Sequence, residues 1–412
     1  MKNTMFKSFN RNALVLATLS MATLASCSKE ELSQDISSDA PKQEMPSTAG
    51  KITGEYMVVL KDGQTVDMHG GGLSVGKQLD MVRDAANQLL SDNGIGNIEL
   101  GAENMMEGGF TTKLSPDQIA SLKNDARVAY IEQDRLVNPA MADGDIKSTN
   151  IGTTQQTSWG TTKVGGAGDG TGKTAWIIDS GIDPNHSDLN VDKTRSKSFL
   201  TSTQAGNTTS YADEFGHGTS VAGIIGAKNN AFGTVGVAAG ANLVSLRVMD
   251  ANGSAYVSKI VAALNWVAYY GKPGDVVNLS IGFGASTTVD DAVKKVAAKG
   301  IYVAIAAGNS SADAANSSPA RVNATNVFTV SAMNSLGVFT SPSNYGATTV
   351  DYAAPGVNVV TTAKGGGYAI FNGTSSAAPH MAGILLLTAG KPKSSGYVTG
   401  DKDSKADAMA SK

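Results

Sequence analysis

The chain has 412 residues, a formal net charge of −3, and 17% charged against 41% hydrophobic residues. This length allows one large domain and a smaller one, and the near-balanced charge argues against a nucleic-acid or strongly acidic partner. Glycine is abundant (47 residues), whereas proline (11) and aromatic residues (6%) are scarce, which indicates tight turns and close backbone packing. Past the N-terminus, no run reaches the roughly 18 apolar residues that a membrane-spanning helix needs.

The N-terminal region has the pattern of a secretory signal. Basic residues precede an apolar run over residues 13–24, and Leu24-Ala25-Ser26-Cys27 follows. These four residues resemble a lipobox, in which Cys27 becomes the lipidated first residue of the mature chain; the alternative is a free thiol in a discarded signal. Cys27 is the only cysteine, so no intramolecular disulfide can form. We expect a signal peptide over 1–26 and an exported lipoprotein, anchored in the membrane at the cell envelope, either surface-exposed or released after processing.

A tether and a small α+β domain are expected next. Residues 27–50 are rich in Ser, Asp, Glu, Lys and Pro and have little to bury, which predicts disorder. Residues 51–138 contain strand-like runs at 54–61, 110–114 and 126–134, with helical stretches over 76–91 and after Ser115. The Ser115-Pro116 pair is typical of a helix start. A β-α-β-β-α-β order is the ferredoxin-like split unit, and an independent binding module is the other interpretation.

The remainder has the pattern of an α/β domain. Residues 139–156 are polar and predict an exposed linker, and residues 391–412 predict a polar C-terminal tail. Between them, residues 157–390 alternate apolar runs with helical stretches. Unbroken apolar strands separated by helices predict a parallel sheet covered on both faces, with sites at the carboxyl ends of its strands. The expected strands are 243–248, 276–279, 301–306 and 327–331, and the expected helices are 217–228, 256–269, 289–299 and 376–388.

One motif in this region suggests nucleotide binding. Ala167-Gly168-Asp169-Gly170-Thr171-Gly172-Lys173-Thr174 satisfies a relaxed phosphate-loop pattern. Such a loop needs a strand before it and a helix after it, so that phosphate lies at a helix N-terminus. Here polar and Gly-rich residues precede the motif, and the apolar run that follows has the pattern of a strand. A Gly-rich hairpin turn is therefore the favoured interpretation.

Three stretches carry residues suited to nucleophilic catalysis. Trp176-Ile177-Ile178-Asp179-Ser180-Gly181-Ile182 is an apolar strand that ends in an acid and a Gly turn. His217, within Gly216-His217-Gly218-Thr219, opens a helix of small residues. Ser375 lies where Gly373-Thr374-Ser375-Ser376 runs into an apolar helix, at its positive end and beside unpaired N–H groups. A serine can act there as a nucleophile, although serine is also an ordinary helix cap.

The three motifs together resemble a known family. The chain order Asp179, His217, Ser375 matches the subtilisin arrangement, and a fourth motif, Ala306-Ala307-Gly308-Asn309-Ser310, precedes the serine. From about residue 159 to 387 the chain resembles the subtilisin-like serine proteases, within them the proteinase K branch. The resemblance implies that His217 is the general base, Asp179 orients it, and Ser375 is the nucleophile. It also implies that the side-chain amide of Asn309 and the backbone N–H of Ser375 bind the oxyanion.

The resemblance further implies how substrate binds. Gly253-Ser254-Ala255 and Ser280-Ile281-Gly282 are the segments that would pair with an extended peptide as added strands. The pocket for the residue before the scissile bond would lie between Ser280-Ile281-Gly282 and Ala307-Gly308. These segments contain no Asp or Glu, so we expect an apolar or unselective preference.

Two further assignments come from the same resemblance. Residues 51–138 are similar to the propeptide that assists folding and then inhibits the enzyme, so 139–156 would be an activation linker in which the chain cuts itself. Asp351 matches an aspartate that binds a structural calcium ion with backbone carbonyls, here those of Thr325 and Val327. An ordinary aspartate at a strand start is the alternative. No cofactor is required for the chemistry.

Two classes of function follow. The first is a secreted, self-processed serine endopeptidase whose partners are protein or peptide substrates, its own propeptide and a membrane. The second is a catalytically silent binding or inhibitory lipoprotein that keeps the fold. The intact motifs favour the first. His69, His186 and His380 lie outside the motifs or on another helix face, and are expected to be structural.

Overall fold

A computed structural model describes residues 54–61, 75–96, 98, 100, 105–106, 108–138 and 146–412. The expected signal peptide, Cys27, the tether and His69 lie outside the described residues. Within the part of the chain that the model describes, no helix combines the length and apolar character that crossing a membrane requires.

The N-terminal domain has the predicted element order. Its four strands form one antiparallel sheet in the order β2-β3-β1-β4, as the ferredoxin-like unit requires. Ser115 caps α2 in a reciprocal capping box with Gln118, and Pro116 follows it, as predicted. Val58, Phe110 and Leu122 are buried between sheet and helices. The elements are β1 (Glu55–Leu60), α1 (Val75–Asp92), β2 (Met105–Met106), β3 (Gly109–Lys113), α2 (Pro116–Asn124) and β4 (Val128–Gln133).

The C-terminal domain is built around a nine-stranded sheet. Two short strands, β5 (Leu136–Val137) and β6 (Ile146–Thr149), come first. The helices are α3 (Trp159–Lys163), α4 (His217–Gly226), α5 (Val257–Tyr270), α6 (Thr287–Ala298) and α7 (Thr374–Thr388). The further strands are β7 (Gly168–Asp169), β8 (Thr174–Asp179), β9 (Lys197–Ser198), β10 (Ala238–Ala239), β11 (Asn242–Arg247), β12 (Ala255–Tyr256), β13 (Val276–Leu279), β14 (Phe283–Gly284), β15 (Tyr302–Ala306), β16 (Ser317–Ser318), β17 (Val327–Met333), β18 (Tyr352–Pro355), β19 (Val359–Ala363), β20 (Gly367–Phe371), β21 (Lys393–Tyr397) and β22 (Ala408–Ser411).

Helices cover both faces of this sheet, as predicted. Its strand order is β21-β22-β18-β17-β15-β13-β8-β11-β9, with parallel pairing throughout except between β21 and β22. Along β8, Trp176 and Ile178 face a core shared with α5 and α6, whereas Ala175 and Ile177 face a core shared with α4 and α7. This alternation follows from the two-residue repeat of a strand. Burial on both faces explains why the strand sequences are unbroken apolar runs.

Three sequence-based boundaries were wrong. Residues 391–412 are not a tail, because β21 and β22 extend the main sheet, and Ala410 is buried in the core that contains α4 and α7. The linker 139–156 contains β6, which pairs antiparallel with β20. Helix α7 begins at Thr374 rather than residue 376, so Pro379 lies in its second turn, not its first. Strands of four or five residues are too short to show a clear alternation of apolar and polar residues in the sequence.

The phosphate-loop motif forms a turn between two strands. Its residues are divided between β7, a turn and the first residue of β8. No helix follows the motif, so the structure lacks the helix N-terminus that would bind phosphate there.

Candidate active site

Asp179 and His217 form a buried pair at the carboxyl end of β8. Asp179 is the last residue of that strand, and His217 is the first residue of α4. The His217 Nδ1 lies 2.8 Å from Asp179 Oδ1 and 2.9 Å from Oδ2, and both side chains are almost fully buried. The contact fixes the imidazole with Nδ1 facing the carboxylate, which favours the tautomer protonated on Nδ1.

Glycines allow the helix to approach the strand this closely. A Cβ on Gly218 would lie 2.1 Å from the backbone oxygen of Gly181 and 3.1 Å from Asp179 Cβ. Gly181 itself has φ +113°, a conformation that disfavours other residues. A side chain on Gly218 would therefore push α4 away from Asp179, and one on Gly181 would collide with the backbone of Tyr211 and Asp213.

Asp213, which the sequence analysis missed, fastens the start of α4. Its Oδ1 accepts hydrogen bonds from Ser180 Oγ (2.8 Å) and Gly216 N (2.6 Å), and its Oδ2 accepts two from Thr219. The Ser180 hydroxyl in turn accepts from Gly218 N at 2.9 Å. Burial raises the pKa of Asp213, while these donors compensate the desolvation of its charge. An aspartate four residues before the histidine, within a Gly-rich stretch, is the sequence signal.

Ser375 is the second residue of α7 and is nearly buried. Its Oγ lies 3.4 Å from the Ser280 carbonyl oxygen. Because Pro379 has no N–H, the Ser375 carbonyl lacks its helical donor. The Ser280 hydroxyl supplies one at 2.9 Å and itself accepts from Asn278 Nδ2 at 2.8 Å. The helix start that carries Ser375 is thus bound to the end of β13.

Asn309 lies beside that helix start. Its Oδ1 accepts hydrogen bonds from Thr374 N (2.9 Å) and Thr374 Oγ1 (3.0 Å). The acceptor end of the amide is therefore engaged, and the Nδ2 end is the part left to donate. Helix α4 also packs on α7, and the ring of His217 contacts that of Phe371 edge-on at 5.2 Å. Asp179, His217, Ser375 and Asn309 thus all lie at the carboxyl edge of the sheet.

The other described histidines have partners elsewhere. His380 lies on α7 with its Nδ1 2.8 Å from the Ser376 carbonyl oxygen, and burial lowers its pKa to about 4. It packs against Gly160, where a Cβ would lie 2.4 Å from His380 Nε2. His186 Nε2 lies 2.9 Å from the Gly367 carbonyl oxygen. Neither is placed in contact with Asp179 or Ser375.

One of the two expected substrate segments pairs with the chain's own strand β5. Ala255 and Tyr256 pair antiparallel with Val137 and Leu136, and Ser254 Oγ donates to Asn138 Oδ1 at 2.7 Å. Arg135, which directly precedes β5, donates through its guanidinium to the carbonyls of Gly284 (2.6 Å) and Ala285 (2.8 Å), which follow the other expected segment in sequence. Gly253 has φ +76°. Ser280, Ile281 and Ala307 are buried, whereas a Cβ on Gly282 would meet open space.

Asp351, the expected side-chain ligand for calcium, is hydrogen-bonded within the protein. Asp351 Oδ2 accepts from Thr329 N at 2.8 Å, and the Lys405 ammonium lies close enough to lower the pKa of this carboxyl, although burial raises it more. Thr325 and Val327 precede and begin β17. Among the described residues, no group of three or more His, Cys, Asp or Glu side chains could hold a metal ion. The expected site combines one carboxylate with backbone carbonyls, and calcium there remains a prediction.

Comparison with known proteins identifies the family. Residues 170–400 match the sequence model of the subtilase family. The chain is 38% identical over 291 residues to alkaline serine exoprotease A of Vibrio alginolyticus, covering 68% of this chain and about half (51%) of that protein. It is 36% identical to subtilisin NAT of Bacillus subtilis subsp. natto over 282 residues, covering 68% and 69%. A cold-adapted subtilisin-like serine proteinase of known crystal structure matches with a TM-score of 0.54 and 31% identity, over 61% of this chain and 96% of that one. The chain therefore belongs to the subtilase family of serine endopeptidases.

Proposed function

We propose that this protein is a secreted serine endopeptidase of the proteinase K-like branch, made as a self-processed precursor. The observation that carries the proposal is the buried Asp179–His217 pair at the same edge of the sheet as Ser375 and Asn309. A catalytically silent lipoprotein would have no need of this pair.

The chemistry follows from the side chains. His217 takes the proton of Ser375 Oγ as this oxygen attacks the substrate carbonyl carbon. The peptide C–N bond then breaks, His217 gives the proton to the leaving amine, and an acyl-enzyme remains. Water, activated by the same imidazole, releases the acyl group. Asp179 holds the imidazole in place and stabilises its positive charge.

Asn309 and the start of α7 stabilise the oxyanion. The first N–H groups of a helix have no partner within it, so the Ser375 N–H is available as one donor. The Asn309 Nδ2 is the second, because Thr374 engages only the Oδ1 end of the amide. Preorganised donors of this kind act where the negative charge develops.

The N-terminal domain acts as an inhibitory propeptide. Glu132 accepts from the N–H and hydroxyl of Thr288 at the start of α6, and Asp134 accepts from those of Ser258 at the start of α5. Two carboxylates of one strand end thus cap two helices of the catalytic domain. Beyond them, β5 pairs antiparallel with β12, which begins in the first expected substrate segment, in the manner of an added strand.

Maturation separates the two domains. Because β5 pairs with β12 and β6 pairs with β20, the cut would fall between Asn138 and Ile146, a narrower interval than the sequence suggests. Proximity within one chain makes such a cut efficient. After this cut, the N-terminal domain with β5 would remain bound to the catalytic domain only by noncovalent contacts.

Export and anchoring rest on the N-terminal sequence. Cys27 would carry the acyl anchor, which holds a protein by burying methylenes in the membrane. Cys27→Ala should therefore move the protein to the soluble fraction and abolish palmitate labelling. Labelling that persists in this variant would contradict the assignment.

Hydrolysis of casein tests the proposed activity. Wild-type protein should degrade casein, and a serine-directed fluorophosphonate or Ser375→Ala should abolish the activity. Ser376→Ala is the matched control, because that serine lies one position along the same helix and its hydroxyl donates to the Pro355 carbonyl instead. Casein cleavage that survives in Ser375→Ala would refute the proposal. Peptide substrates with apolar and charged residues before the scissile bond would test the expected apolar or unselective preference.

A further inference from the structure

The loop 307–312, which carries Asn309, is held from two opposite sides. On one side Thr374 binds Asn309 Oδ1 and also accepts from Gly308 N through its Oγ1 at 3.1 Å. On the other side lies Asn344, a residue that neither the motifs nor the proposed mechanism includes. Asn344 is 2% exposed, and it is distant from Asn309 in sequence.

The Asn344 side chain binds only the backbone of this loop. Its Oδ1 accepts from Ser310 N (2.9 Å) and Ala312 N (3.0 Å). Its Nδ2 donates to the Ala307 carbonyl at 2.9 Å. These bonds bracket Asn309 on both sides along the chain, so one amide fixes the loop before and after the oxyanion donor.

The backbone contacts reinforce the same arrangement. Asn344 N donates to the Gly308 carbonyl at 2.8 Å. Gly308 has φ +104°, and a Cβ there would lie 2.5 Å from Asn344 Nδ2. The glycine directly before Asn309 is thus required for close packing against Asn344 as well as for its conformation.

We propose that Asn344 is a positioning residue that aims the Nδ2 of Asn309 at the oxyanion. This inference rests on the proposed function. Oxyanion donors must lie about 2.7–3.1 Å from the position that the charged oxygen reaches, so a loop that shifts by a fraction of an ångström loses part of the stabilisation. Loss confined to the transition state lowers kcat and leaves KM unchanged.

Two substitutions separate lost hydrogen bonds from lost volume. Asn344→Ala removes the amide and leaves a cavity, whereas Asn344→Leu removes the amide but fills the space. With mature enzyme titrated by a fluorophosphonate, both should lower kcat for a peptide p-nitroanilide by about 10- to 100-fold, with KM changed less than about twofold. Asn326→Gly is the control, because it deletes an amide bond to the Ala297 carbonyl and suits the residue's φ of +67°. It should leave kcat unchanged.

A double-mutant cycle tests whether Asn344 acts through Asn309. If it does, Asn344→Ala should cost less than about twofold in the Asn309→Ala background, since the donor it aims is gone. Multiplicative effects, or unchanged kcat in both Asn344 variants, would overturn the inference. If neither variant yields titratable enzyme while Asn326→Gly does, Asn344 serves folding and the inference also fails. If Asn309→Ala itself leaves kcat unchanged, the proposed oxyanion role is what fails.

Discussion

The contact between the two domains is more polar than the core of either domain. The C-terminal domain buries apolar side chains on both faces of a long sheet, with Trp176 fully enclosed. The N-terminal domain has a smaller core of its own and contributes Met57 to its neighbour's core. Val59 also packs against that core, and Tyr130, Glu132 and Asp134 add polar or charged contacts. Such a contact positions the N-terminal domain while the chain is intact. After the chain is cut between the domains, the N-terminal domain can dissociate.

The largest expected effect concerns chemistry that belongs to the C-terminal domain alone. Asp179→Asn leaves the shape of the side chain but favours the wrong tautomer of His217, so kcat should fall about 10,000-fold. Asp169→Asn, at the exposed last residue of β7, should leave kcat unchanged. An added protease cuts both variants between Asn138 and Ile146, since Asp179→Asn should mature poorly by itself, and peptide hydrolysis then provides the measurement. A loss below tenfold in Asp179→Asn would contradict the assigned role.

A second effect concerns the core around α7. The pKa of His380 is about 4 in the folded chain and about 6.5 when unfolded, so only the unfolded state binds a proton between these values. Stability should therefore fall on acidification from pH 6.5 to 4, by about 1.4 kcal/mol per pH unit from this group. In the inactive Ser375→Ala chain, His380→Gln should remove this contribution to the dependence of stability on pH.

Denaturant unfolding at several pH values measures the contribution of His380 to stability. The free energy of unfolding of the parent, relative to His380→Gln, should decrease steadily below pH 6.5. A difference between the two chains that stays constant from pH 4 to 7 would show that His380 does not titrate in this way.

The smallest effect concerns the polar contact between the domains. Asp134→Asn or Glu132→Gln weakens one helix cap, which should cost about 1 kcal/mol. In the Ser375→Ala precursor, where the N-terminal domain is retained, each should lower the thermal midpoint by a few degrees. Asp84→Asn, on an exposed position of α1, is the control. Equal thermal midpoints in the Ser375→Ala precursor and its three variants would mean that the two helix caps do not help to bind the N-terminal domain.

Sequence reasoning located the residues of the proposed active site but missed their supports. Asp179, His217 and Ser375 were found because each lies where an apolar run meets small residues, a local signal. Asp213 and Asn344 act by binding backbone groups that only the fold brings near them. No periodicity marks such residues.

The short strands β6, β21 and β22 were not predicted from the sequence for a related reason. Strand β22 is only four residues long, and it pairs with β18, which lies far away in sequence. Strand β6 likewise pairs only with β20. Long-range pairing of short strands leaves no local pattern, whereas the buried strands and amphipathic helices were predicted to within a few residues.

The most direct test of the account is the mass of the purified protein with and without Ser375. Wild type, expressed in a host lacking other proteases, should yield a mature chain that begins between Asn138 and Ile146. Ser375→Ala should stay a folded precursor, uncut in this interval. If mass spectrometry finds both chains cut at the same position, Ser375 is not the residue that cuts, and the account of a self-processed protease is wrong.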